Sequence, residues 1–181
     1  ERPRAPAPRH GPDRATTVAS GVPRPASSNA YFERLSPTAF LATEHVGGAW
    51  VTHEQHIAPA IGLVAHEVTR DNAERRGGDL QLSRLSCDIL GTLPIAEVEL
   101  TTRVLRPGRT IELVEARLSH AGRDAVVARA WLTKRYDTAA LAGSPLARIA
   151  APHEMAAWDP RAVWPGGFIR SVEGRREQCG P

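Results

Sequence analysis

Two histidines, His53 and His56, stand just before a long apolar segment of this 181-residue chain. An imidazole titrates near neutral pH, so either ring can move a proton, donate to a carbonyl or ligate a metal. The run His53-Glu54-Gln55-His56 lacks the H-E-x-x-H spacing that sets two imidazoles on one helix face, and no third ligand is evident, so no metal site is expected. Asp88 is the only acid in Leu82–Leu90 and alternates with Arg84 and Ser86. A carboxylate there is either a general base or the ion-pair partner of Arg84. Glu67 lies one turn beyond Val64 and is expected to be an exposed, salt-bridging residue. Arg106 and Arg109 bracket Pro107-Gly108, which is first of all a tight turn, although two guanidinium groups there also suit phosphate oxygens.

The elements that must position these groups begin with Ile57–Arg76. Ile61, Val64, Ala65 and Val68 recur at helical spacing, Pro59 suits a first turn, and Gly77-Gly78 stops the helix. Ala60, Gly62 and Leu63 widen the stripe, so the first half reads as apolar on most sides and wrapped by other structure. Phe40–Thr43 reads as a first strand. Four more follow the helix: 82–90, 97–106, 109–120 and 124–136, with turns at Pro107-Gly108 and Ala121-Gly122-Arg123. Successive hairpins after a helix predict an α+β fold, an antiparallel β-sheet on one long central helix. Residues 1–29, rich in Pro, Ala, Arg and Ser, read as a disordered tail, and 138–167 read as loop. Phe168–Arg175 reads as one short strand.

Composition narrows the function classes. Hydrophobic content of 41% supports a real core. Of 23 basic and 20 acidic side chains, five arginines and two acids fall within residues 1–29, which leaves the rest neutral at 18 of each sign. The basic excess is therefore a property of the tail, and nucleic-acid binding is not expected of the domain. No apolar run has membrane-spanning length and no signal-peptide segment opens the chain. Cys87 and Cys179 form neither a disulfide framework nor a zinc site, and Cys87 is expected to be a buried thiol. These features point to the cytoplasm. A chain that opens on Glu1 is expected to be trimmed or partial.

The order strand, long buried helix, four antiparallel strands resembles the hotdog fold. Ser83–Leu90, Leu93-Pro94, Val104–Arg109, Val114-Glu115-Ala116 and Ala121-Gly122-Arg123 resemble, in order and spacing, the thioesterase-like superfamily, the bacterial acyl-CoA thioesterase group related to thioesterase II. Trp50 and His56 stand where that group has a Trp and a His at the helix start. The resemblance covers about residues 38–136, within a domain of 30–137. It makes 138–181 a linker and the first strand of an incomplete second repeat.

The resemblance implies hydrolysis of an acyl-CoA thioester to a free acid and CoA, with no cofactor. Such enzymes use a carboxylate on water and amides at a helix start on the carbonyl. It nominates His56 as catalytic, the alternative being a ring that only caps or packs at the helix start, and Gln55, Ile57, Ala58, Arg106 and Arg109 as substrate contacts; Asp88 is the second catalytic candidate as the one acid of its strand. The family's glycines after the His are replaced here by Ile57 and Ala58, whose side chains crowd that approach. The family's best-known acid lies in a second repeat and aligns nearer Arg84 than Asp88. A hotdog hydratase needs an Asp followed five residues later by a His, and no Asp here has one. Two expectations follow: an acyl-CoA thioesterase whose catalytic residues lie partly or wholly outside this chain, or a non-catalytic hotdog module that binds an acyl group or partner. In either case the partner is a second copy or another hotdog repeat.

Overall fold

Local chemistry sets both ends of α1 (Ile57–Arg76). At its start His56 is extended and its Nδ1 accepts the Ala58 N–H at 3.1 Å, which makes it the N-cap. At its end Gly77 takes φ 74°, a left-handed conformation that glycine adopts freely, and its N–H returns to the Ala73 carbonyl. This is a computed structural model and it describes residues 29–177; most of the tail 1–29 and Cys179 lie outside the described residues.

Ala60, Leu63, Val64 and Val68 form the buried stripe of α1, with Ile61 and Ala65 half-buried at its border. Ala58, Gly62, His66 and Thr69 are exposed. The helix is therefore covered on one face and is not wrapped on most sides. The sequence suggested otherwise because alanine and glycine count as apolar while burying very little surface.

The covering face is one antiparallel sheet. Its strands are β1 (Phe32–Arg34), β2 (Ala39–Ala42), β3 (Leu80–Ile89), β4 (Glu97–Arg106), β5 (Ile111–His120) and β6 (Arg123–Lys134), in the order β1-β2-β4-β5-β6-β3. Phe40, Val98, Leu100, Val114, Leu118, Val126 and Leu132 pack with the helix stripe as the core. The β5–β6 turn holds Ala121 at φ 49° and Gly122 at φ 75°, the two-residue geometry that matches strand twist. In β3 a register shift between Leu82 and Arg84 inserts an extra residue. The bulge lets Leu80 and Leu82 share the helix side with Leu85 and Cys87, which are otherwise out of phase with them.

The α+β expectation holds, an antiparallel sheet on one long helix, and three details differ. β3 pairs with β6 rather than forming a hairpin with β4, so the chain crosses the end of the sheet between them. That crossing is held under the helix start, where Leu93 is buried and its carbonyl accepts the Gln55 N–H at 2.8 Å. β1 adds a sixth strand. Beyond β6, Phe168–Arg175 is not one strand: α2 (Gly167–Arg170) is a single helical turn, and β8 (Gly174–Arg176) pairs with β7 (Ala156–Trp158) in a separate two-stranded sheet. Cys87 is half-buried, at an edge strand.

Candidate active site

The loop entering α1 is bound at both sides. Gly48 N–H donates to Glu54 O at 2.7 Å and His56 N–H to Val46 O at 2.6 Å, while the Gln55 side-chain Nε2 donates to Pro94 O at 2.8 Å. Between this loop, the helix start and the β3–β4 crossing lies an apolar pocket of about 180 Å³. Its walls include Trp50, Val51, Ile57, Ile89 and Leu93, and its polar groups are Glu54, Gln55, His56 and Thr92. Trp50 is 89% exposed and Ile89 57%, so the mouth is open and greasy.

The electrostatics of the polar set follow from its bonds. His56 Nδ1 is an acceptor, so the neutral ring carries its proton on Nε2. Burial lowers its pKa below the ordinary value, which keeps it neutral. Thr92 Oγ1 donates to Glu54 Oε1 at 3.1 Å and orients that carboxylate. Gln55 Oε1 is buried with no hydrogen-bond partner among the described residues. Of the first-turn amides, Ala58 N–H is taken by His56 and Pro59 has none, so the helix start offers few donors to a ligand.

The sequence candidates separate. His56, Gln55 and Ile57 line the pocket, while Ala58 is exposed beside it. Asp88 does not join them. It lines a shallow groove with Arg84, Ser86, Arg129 and Trp131, on the sheet face away from α1, and no ion pair joins it to Arg84 among the described residues. Arg106 and Arg109 flank the β4–β5 turn, which Arg76 ties to the other end of α1 through the Gly108 and Arg109 carbonyls. A 20-residue helix separates that turn from His56 by about 30 Å. Glu67 pairs as expected but is buried, at 2% exposure, between Arg34 and Arg70. Burial alone raises its pKa, and the two arginine bonds outweigh that and hold it below the usual carboxylate range. Glu54 was not among the candidates read from the sequence. Its signal in the sequence is its place two residues before His56, in a run whose spacing does not suit a metal. Among the described residues no cluster of His, Cys, Asp and Glu is placed to hold a metal, and no helix is long and apolar enough to cross a membrane.

Residues 47–133, which contain the pocket and run from before α1 to the penultimate residue of β6, match the family model for the acyl-CoA thioesterase N-terminal domain. That segment is a thioesterase-like hotdog domain. Solved hotdog structures are similar at low identity. A conserved protein of Pseudomonas aeruginosa has 15% identity and a TM-score of 0.48, covering 55% of this chain and 82% of its own. A hypothetical thioesterase of Streptococcus pneumoniae, solved with coenzyme A, has 12% identity and a TM-score of 0.47, covering 57% and 84%. The E. coli PaaI protein from the phenylacetic acid degradation operon has 11% identity and a TM-score of 0.46, covering 54% and 70%. No curated protein matches the chain. Within this hotdog domain the matched segment supplies every residue lining the pocket.

Proposed function

We propose that this domain hydrolyses acyl-CoA thioesters, with the acyl end held in the pocket at the start of α1. The observation that carries the reading is one apolar pocket that brings together a single carboxylate, Glu54, and a neutral imidazole, His56. At about 180 Å³ the pocket is smaller than the roughly 300–1,000 Å³ of sites for drug-sized ligands, so it suits an acyl end rather than a whole thioester. In the reaction, Glu54 takes a proton from water as the water oxygen adds to the thioester carbonyl carbon. His56 Nε2–H donates to the carbonyl oxygen as it gains charge. The C–S bond then breaks and the proton passes from Glu54 to the CoA sulfur. Asp88, on the far face of the sheet, takes no part.

Thiol release over a panel of acyl-CoAs tests this. Glu54→Gln should lower kcat by about 10²-fold or more, the usual loss of a general base, while Asp88→Asn leaves it unchanged. Activity that survives Glu54→Gln but is lost in Asp88→Asn defeats the proposal. A second reading, a non-catalytic module that binds the acyl group, is favoured by the scarcity of free amides at the helix start. Tight acyl-CoA binding with no thiol release would select it.

A further inference from the structure

The matched family segment ends at residue 133, yet a later stretch of chain returns to the histidine of the pocket wall. The Phe168 ring stacks on His56 with centroids 4.3 Å apart and planes 24° from parallel. The Phe168 N–H donates to Gly47 O at 3.1 Å, and Tyr31 Oη and Ser171 Oγ are 2.7 Å apart. The two glycines before the ring fit against backbone. A Cβ on Gly167 falls 1.8 Å from Glu44 O, and one on Gly166, itself at φ 107°, falls 2.3 Å from Gly48 O. Only glycine permits so close an approach, so the fit is specific to this pair of residues.

We propose that Gly166–Ser171 is an intrachain wedge that seats His56. Phe168 fills the space behind the imidazole, which fixes the ring with Nδ1 on the Ala58 N–H and leaves Nε2–H as its one polar group for the pocket. Phe168 is thus a positioning residue, reached from outside the matched domain and acting through His56. The hydrogen bond from Phe168 to Gly47 holds the same loop that supplies Gly48 to the pocket wall. The inference deepens the reading above, since the pocket is the one assigned to the acyl end. Its test is read from the ring itself, so it fails separately from any failure of turnover.

The experiment is NMR on the full chain labelled with ¹³C and ¹⁵N. The wild type should show contacts between the ring protons of His56 and Phe168, upfield-shifted His56 carbon-bound protons, and nitrogen shifts of an Nε2–H tautomer. Phe168→Ala should abolish the upfield shift and speed exchange of the Ala58 amide by roughly tenfold or more as the cap opens locally. Phe168→Tyr, which keeps the ring, should restore both. Gly167→Ala should reproduce the loss with Phe168 still in the chain, because its Cβ cannot be accommodated. Wild-type spectra without ring contacts overturn the proposal, and they decide it even if the alanine variants fail to fold. Folded variants with unchanged His56 shifts and Ala58 exchange overturn it as well.

Discussion

Arg75 in the last turn of α1 donates to Glu112 of β5, with Nη2 2.7 Å from Oε1. Glu112 is 1% exposed and lies on the helix side of the sheet, where Arg76 also reaches it at 3.4 Å. The two arginines hold its carboxylate ionised inside the core, against a burial effect that alone raises its pKa. Arg75→Ala should therefore destabilise by about 1–3 kcal/mol, softened by the remaining Arg76, because it strips a buried charged acceptor of its best donor. Chemical denaturation checks this. Glu112→Gln should cost less than Arg75→Ala, since it removes the charge along with its need for a partner.

Stability should fall in two stages on acidification. Burial holds His56 below its ordinary value of 6.5, so the unfolded chain takes up that proton first and stability declines as pH drops below about 6.5. Glu67 and Glu112 are held below their ordinary 4.5 by arginine bonds that outweigh burial. They add a second, steeper loss that starts below about pH 4.5, again because the unfolded state binds the protons first. Urea midpoints followed from about pH 8 down to about pH 3 should show both stages. His56→Asn keeps an N-cap acceptor that does not titrate, and should remove the upper stage alone.

Val68 is fully buried and Ile61 only half-buried. Val68→Ala should cost roughly 1–4 kcal/mol, and Ile61→Ala less, although it removes more atoms. Equal or reversed losses would show that the outward face of α1 is covered in solution by something the single chain lacks.

β3 has no strand on its outer side among the described residues, and at ten residues it is a long free edge. Such an edge beside the exposed Ile89 and Leu90 favours pairing with another strand. We expect the chain to self-associate at micromolar concentration, as measured by sedimentation equilibrium. Ser86→Lys, which charges that edge, should shift the equilibrium toward monomer. A wild-type chain that remains monomeric contradicts the expectation.

What was legible beforehand was local. α1 was readable to its ends because Gly77 stops it, and β4 because alternation runs from Val98 to Val104, short of the register shift before Arg106 and the Pro107-Gly108 turn. The partner of β3 was not, since its register lies in pairs such as Leu85↔Ala130 that no local pattern encodes. Glu67 looked exposed because its partner Arg34 is 33 residues away. Phe168–Arg175 looked like a strand because alternation is all that a short segment offers, whereas its start is fixed by glycines fitted against the backbone of residues 44–48 and its end by pairing with β7. The pocket was half-visible: His56 and its neighbours were found, but the acid beside them needed the fold to bring Thr92 to Glu54.

The crossed position of β3 also sets an order in time. β4, β5 and β6 follow one another through tight turns, so their pairing closes only short loops. β3 precedes them in the chain but has no place to pair until β6 exists, with Leu80 opposite Lys134 at one end and Ile89 opposite Val126 at the other. Non-local pairing of this kind slows folding. During refolding or synthesis the three-strand meander should form first, and α1 with β3 should dock last. Until they do, Val126, Ala128, Ala130 and Leu132 stand open to solvent, and that interval is when the chain is most prone to aggregate.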